Sequence, residues 1–433
     1  MISYDDAVQM VLKNTDVLEA EEKPLLDCVG RVSAEDVHAD ISLPQSDISG
    51  PDGYAVRSTD IAGAGMPTPA TLKIIETVRA GCLPRKKVVP GTAARIMTGS
   101  VIPEGADCVV RFEDTDEPKD KNGPNTMNPK VVKIYVSQPV GANIRKAGSN
   151  IPEGFPVLPG GTVIGPAQIS ALASIGRATV KVMRCPVIAV IATGDELVNT
   201  GRPLPPGKAY NSNTAAVTSL ITHYGGIPKI LGIARDRESS LLRKIQEGAR
   251  VADAIITSGG VSKGDYDLVR LVLGKIGEVI FSRVKMGPGA AVAFGMVKRS
   301  SAGRHASVPV FGLPGSPRGC LVNFETLVRP ALLKMRGIIA LDHPVVEATA
   351  VDSIPGRMPM PFVRFTYLKK KEGEHYVILN GDERIGPLAS MVTANSMTIV
   401  PEGSMIKAGE RIPVLPLDWP MGQIQPVFSD VNK

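Results

Sequence analysis

Hydrophobic and polar positions change their period along this chain. From about residue 182 to 337, short apolar β-branched runs alternate with segments of helical spacing. PVIAVIA (186–192) predicts a buried strand, TAAVTSLITHY (214–224) a helix, IPKILGIA (227–234) a strand and ESSLLRKIQEGARVAD (238–253) a helix. DAIIT (253–257), YDLVRLVLGKI (266–276), EVIFSRV (278–284) and VPVFGL (308–313) continue as strand, helix, strand and strand. A helix around CLVNFETLVRPALLKM (320–335) follows. Strands and helices alternating at this spacing predict a parallel sheet covered on both faces.

The flanking segments read differently. Residues 27–181 break into short β-rich pieces punctuated by Pro and Gly, such as VVPGTAARIMTG and GTVIGP. Residues 338–433 carry several short strands and turns with little helix. MISYDDAVQMVLKN is amphipathic with acids in its first turn, which predicts a helix capped near Ser3. The polar stretch TDEPKDKNGPNTMNP (115–129) reads as a mobile surface loop. The expected fold class is α/β plus β-rich domains. An N-terminal helix at 1–26 packs on the central α/β/α domain of 182–337, which holds the parallel sheet. A β-rich subdomain covers 27–46 and 143–181, a second is inserted at 47–142, and a small β domain covers 338–433.

Bulk composition narrows the function classes. At 433 residues, several domains are expected rather than one core. Aromatics make up 4%, with a single tryptophan, which argues against stacking platforms for single-stranded nucleic acid. The net charge of +6 is dispersed, and Lys369-Lys370-Lys371 runs straight into Glu372 and Glu374, so a solvated turn is expected there. No nucleic-acid partner is expected, while an anionic small molecule is admitted. The five cysteines are widely spaced without CxxC, and the five histidines form no HExxH, implying a reducing compartment and no structural zinc. Neither a signal peptide nor an 18-residue apolar run occurs, so a cytoplasmic chain without membrane contact is expected.

In open parallel sheets, ligands bind beyond the carboxyl ends of the strands. The segments after the predicted strands hold Thr193-Gly194-Asp195-Glu196, Arg235-Asp236, the run from Ser258 to Asp267 and Pro314-Gly315-Ser316-Pro317-Arg318-Gly319. Gly- and Ser-rich loops entering helix N-termini suit phosphate. Asp195, Glu196, Asp236, Asp265 and Asp267 are hard oxygen ligands, and carboxylates facing phosphates imply a divalent cation such as Mg²⁺. Taken singly, each acid reads equally as a helix cap, and SGGVSKG as a tight turn. No Walker A loop is present, and GPGAAV does not give the dinucleotide fingerprint.

The motifs in order along the chain resemble the molybdopterin molybdenumtransferases, the molybdenum insertase family that includes the gephyrin E domain. They are Leu43-Pro44 through Asp52-Gly53-Tyr54-Ala55, MTGSVIPEGADCVV (97–110), NIRKAGSNI (143–151), TGDELV (193–198), NSN (211–213), SGGVSKGDYD (258–267), FGLPGSP (311–317) and SMVTAN (390–395). The resemblance implies an elongated homodimer whose α/β domain is molybdopterin-binding-like. It implies Mg²⁺-dependent insertion of molybdate into adenylylated molybdopterin with release of AMP. The preceding molybdopterin adenylyltransferase and the recipient apoenzymes are the implied partners. By matched position, Asp52, Thr98, Glu196 and Asp267 are catalytic candidates. Asp236, Gly259, Gly260, Ser262, Gly264, Pro314 and Pro317 are candidates for substrate binding, with Arg364 and Ser390 for molybdate, and Asp265 and Asp267 for the metal. Asp52 lies at the dimer interface in this family and completes the partner's site; its alternative is an Asp-Gly turn. A surface arginine and a helix-capping serine are the alternatives for Arg364 and Ser390.

Several positions depart from the family. RVKMGPGAAVAFG (283–295) has Gly287-Pro288-Gly289-Ala290-Ala291 where the family carries KPGKP. Ser316 stands for the usual Asn, and Asn150 for the usual Asp. Losing two ammonium groups predicts weaker oxyanion binding, because charge-assisted hydrogen bonds are about twice as strong as neutral ones. Lys263, Lys285 and Arg318 are the expected compensating cations. A molybdate insertase, a tungstate-specialised insertase and a non-catalytic binding scaffold all remain open at this level.

Overall fold

The longest apolar β-branched runs become strands of a six-stranded sheet in the computed structural model, which describes residues 1–117, 130–260, 268–299, 306–357, 359–379 and 387–419. The sheet's elements are β1 (Val187–Thr193), α1 (Ser212–His223), β2 (Ile227–Ala234), α2 (Glu238–Val251), β3 (Ala254–Ser258), α3 (Leu268–Ile276), β4 (Gly277–Phe281), β5 (Ala293–Lys298) and β6 (Ser307–Leu313). Strand order is β2-β1-β3-β6-β5-β4. β1 pairs parallel with β2 and β3, and β3 parallel with β6. β5 runs antiparallel to both β4 and β6, so the parallel pattern ends at β6. The reason is local: no helix lies between β4 and β5 to carry the chain back, so it reverses direct.

Alternation along β1 shows how both faces are covered. Ile188 and Val190 face a core with Val217, Ile221, Phe324 and the N-terminal helix residues Ala7 and Val11. Ala189 and Ile191 face the opposite core, with Leu241 and Ile245 of α2 and Val269 and Leu273 of α3. Period-two placement in a fully buried strand requires this double-sided apolar run. The N-terminal helix spans Tyr4–Lys13, and the Ser3 hydroxyl oxygen accepts the Asp6 amide at 3.1 Å, the expected cap.

After β6 a helical run covers Pro317–Asn323, a π-helical turn at Phe324–Val328 and Arg329–Met335. Pro330 lacks an N–H and its ring crowds the preceding turn, which the wider π turn accommodates. Strands within 346–416 then close a five-stranded barrel.

These elements belong to one compact unit of residues 1–34, 161–165 and 179–433; residues 35–160 and 166–178 form another. The second unit is built on a five-stranded sheet with Gly53–Val56 between Cys108–Arg111 and Thr92–Ile96. Part of the polar stretch expected to be a mobile loop packs here. The Asp116 amide donates to Lys133 O at 3.1 Å, and Glu117 takes hydrogen bonds from the Tyr54 hydroxyl and the Arg95 guanidinium. Glu117 is the part-buried counter-ion of Arg95, which fixes residues 115–117; residues 118–129 lie outside the described residues.

Candidate active site

Because β1, β3 and β6 are parallel neighbours, their carboxyl ends deliver three loops to one rim. The loops border an open cleft of about 160 Å³ lined by Thr193, Glu196, Asn213, Ser258, Gly315 and Pro317. Gly259 donates its amide to Leu313 O at 3.0 Å. Its φ is +90°, and a Cβ there would lie 2.4 Å from Thr193 O, so only glycine lets the loops touch backbone to backbone. Gly260 follows against the Thr193 side chain. Pro314 and Pro317 bracket the turn after β6, with Pro317 starting the helix where its missing N–H costs no intrahelical bond.

The acids on this rim are partly committed. Asp236 Oδ2 accepts the Asp195 amide at 3.0 Å, and Asp195 faces Arg235 at 3.6 Å. The Glu196 carboxylate folds back over Gly194, 2.3 Å from where a Cβ on that glycine would sit. Ser262, Lys263, Gly264, Asp265 and Asp267 lie outside the described residues. Among the described residues no group of three or more His, Cys, Asp or Glu side chains is placed to hold a metal ion, so the Mg²⁺ expectation rests on Asp265 and Asp267.

A second group of contacts surrounds Gly287 and Gly289, in the segment where the family carries its KPGKP lysines. Gly287 donates its amide to Pro361 O at 2.9 Å and accepts that of Val363 at 2.6 Å. A Cβ on Gly287 would lie 2.8 Å from Phe362 Cδ2, so the ring fills the space a side chain at 287 would need. The guanidiniums of Arg357 and Arg364 stand 5.1 and 4.8 Å from the centroid of that ring. Asn323 Nδ2 donates to Gly289 O at 3.0 Å, tying the loop to the helix after β6. Arg364 is 2% exposed with Nε donating to Pro355 O at 2.9 Å, which removes the surface-arginine alternative. Ser390 sits inside the helix Pro387–Val392 rather than at its cap, and accepts from Arg318 Nη2 at 3.1 Å. Of the expected compensating cations, Lys285 is paired with Glu402 at 2.7 Å, while Arg318 bonds Ser390.

In the other unit, Gly53 pairs with Ile96, which brings the residues just beyond those strand ends together. Asp52 Oδ1 accepts the Thr98 amide at 2.7 Å and its hydroxyl at 2.9 Å. These two candidates, far apart in sequence, form one pair.

The residues that sequence reading left without a role are Asn213 and Phe362. Asn213 was visible only as part of NSN, ahead of a helix, with no partner indicated. Phe362 carried no signal, because its contact with Gly287 is set by the bridge between their two segments.

The chain resembles several known proteins over nearly its whole length. Residues 2–176 match the MoeA N-terminal region (domain I and II), and residues 189–334 match a probable molybdopterin binding domain. The chain is 34% identical over 431 residues to the molybdopterin molybdenumtransferase of Bacillus subtilis, covering 97% of this chain and 96% of that protein. It is 32% identical over 420 residues to the same-named protein of Staphylococcus aureus, covering 96% and 95%. A solved molybdopterin biosynthesis MoeA protein from Pyrococcus horikosii superimposes with a TM-score of 0.81 at 31% identity, covering 96% of this chain and 99% of that one.

Proposed function

The chain belongs to the molybdopterin molybdenumtransferase family of molybdenum cofactor biosynthesis, and from this we propose that it inserts molybdate into adenylylated molybdopterin with release of AMP. The observation that carries the reading is the seven-residue helix Pro317–Asn323. Pro317 lines the cleft at the strand ends, Arg318 donates to Ser390, and Asn323 holds Gly289. One short helix therefore carries a residue that lines the glycine-rich strand-end cleft, suited to phosphate, and next to it an arginine directed at Ser390, suited to an oxyanion, an adjacency that bringing the two substrates together requires.

In this mechanism the Gly259 and Gly260 backbone approaches the phosphates, and Asp236 fixes the loop carrying Glu196 through the Asp195 amide. Arg364, Arg318 and Ser390 offer donors to doubly charged molybdate. As an oxygen of water or molybdate bonds to the molybdopterin phosphorus, the anhydride bond breaks and AMP departs with the charge that builds on its phosphate; donors set beforehand lower that barrier. Asp265 and Asp267 would hold Mg²⁺, which would supply charge neutralisation at the phosphates. The Asp52–Thr98 pair is assigned to the partner's site in a cytoplasmic homodimer.

The test supplies adenylylated molybdopterin, Mg²⁺ and either molybdate or tungstate, and measures AMP release. Release with molybdate is expected. Release with neither oxyanion overturns the enzyme reading in favour of a scaffold, and release with tungstate alone overturns the molybdate assignment. Asp267→Asn is expected to abolish release, and near-normal turnover removes that residue from the site.

A further inference from the structure

Asn213 makes a connection that none of the site residues above makes. It is the second residue of α1 and 9% exposed. Its Nδ2 donates to Ser258 Oγ at 2.7 Å and to Gly315 O at 2.9 Å. Ser258 closes β3, and Gly315 lies in the turn that follows β6. One amide nitrogen thus spends both its protons on two loops that line the same cleft.

The chemistry fixes this orientation. Gly315 O can only accept, so the Asn213 oxygen cannot face it, and the nitrogen must. Asn211, two residues earlier, caps α1 by accepting the Thr214 amide at 3.3 Å, so the backbone that presents Asn213 is itself anchored. The strand ends are already joined by the Gly259–Leu313 backbone hydrogen bond, but the turn beyond it is loosely held toward Gly259: a Cβ on Gly315 would sit 3.7 Å from Gly259 Cα, ordinary contact. A two-proton donor bonded to both Ser258 and Gly315 ties that turn down from outside the sheet.

We infer that Asn213 is a positioning residue that holds the strand-end loops of β3 and β6 at the separation the phosphate-bearing substrate needs. This rests on the functional reading above. The residue touches no reacting atom in this assignment; it acts through Ser258, Gly259 and Gly315. Its removal widens the cradle, so it weakens binding of the nucleotide part more than it lowers the stability of the fold.

The test uses the full chain with AMP as the probe, comparing wild type, Asn213→Ala and Asn213→Asp. The Asp variant keeps the volume but presents a carboxylate to Gly315 O; protonated at low pH, it can again donate one hydrogen bond. Both variants are expected to bind AMP about tenfold or more weakly near neutral pH, the loss of at least one bridging hydrogen bond. The Asp variant is expected to recover affinity as pH falls, with wild type as the reference at each pH. In turnover assays the change is expected in KM more than in kcat. AMP affinity within twofold of wild type in folded variants overturns the inference while leaving the functional reading in place. Wild type that binds no AMP overturns the functional reading instead, and this inference with it. If neither variant folds, Asn213 is a structural residue and the positioning role is overturned.

Discussion

The indole N–H of Trp419 donates to Glu325 Oε1 at 2.7 Å, fastening the segment after the last barrel strand to the π turn of the helical run. Tyr224 has one hydroxyl proton and two carboxyl neighbours, Glu325 Oε2 and Asp418 Oδ1, each at 2.9 Å. The arrangement is satisfied when Glu325 is protonated and donates to Tyr224, which then donates to Asp418. Burial pushes the Glu325 carboxyl up to about 7, against smaller opposing pulls from Trp419, Tyr224 and Arg329. The Asp418 carboxyl moves the other way: burial raises it, but bonds from Tyr224 and His223 outweigh that.

The sign follows from linkage. A carboxyl whose folded value lies above its unfolded one makes stability fall as pH rises from about 4.5 through about 7. His343, 3.4 Å from Glu325 Oε2, is held down to about 4 by burial and Arg329, so its own contribution falls as pH drops below about 6.5. The two slopes oppose each other, and Glu325→Gln isolates the first. Relative to wild type, the variant is expected to gain ~1 kcal/mol between about pH 6 and about pH 8. Trp419 is the sole tryptophan, so its emission reads the same event: a transition near neutral pH in wild type and none in the variant. An unchanged titration in Glu325→Gln removes Glu325 as the titrating group.

Restoring a lysine at the first loop position is expected to harm the protein rather than help it. Gly287→Lys drives a Cβ into Phe362, 2.8 Å from Cδ2, and overpacking of this kind costs about 1–3 kcal/mol. Phe362→Ala in the same chain is expected to relieve part of that cost, a favourable coupling readable by denaturant melts in a double-mutant cycle. Strict additivity would show that the ring does not hold the position.

Gly259→Ala combines a left-handed backbone at φ +90° with a contact 2.4 Å from Thr193 O. A loss of at least about 1 kcal/mol in unfolding free energy is expected, together with loss of AMP binding. A variant with normal stability and normal binding would show that the loops are not held in contact.

Asp52→Asn keeps an oxygen for the Thr98 amide and hydroxyl while removing the charge. If the charge serves the reaction, kcat/KM is expected to fall about tenfold or more while stability changes by less than about 1 kcal/mol. Equal losses in both would leave Asp52 as the former of a turn.

Much of the central unit was legible because its determinants are local. PVIAVIA and VPVFGL are apolar at every position, as strands covered on both faces must be, and they became β1 and β6 nearly residue for residue. Ser3 and the acids after it predicted the first helix and its cap. The strand-end rule also placed Glu196, Gly259 and Pro317 on one rim, since parallel neighbours share their carboxyl ends. The antiparallel turn between β4 and β5 was less legible, because an apolar run does not encode the direction of its neighbour.

The amino-acid sequence alone determined most strands and helices of the sheet, though not β5, together with the loops that bear the chemistry and the family motifs they contain. Tertiary structure alone decided that Phe362 fills the space beside Gly287, that Arg318 rather than Lys285 reaches Ser390, and that Asn213 bridges Ser258 and Gly315. The physical reason is the same in each case. Periodicity and capping act between residues a few positions apart, whereas these contacts join segments that meet only once the sheet and barrel have closed.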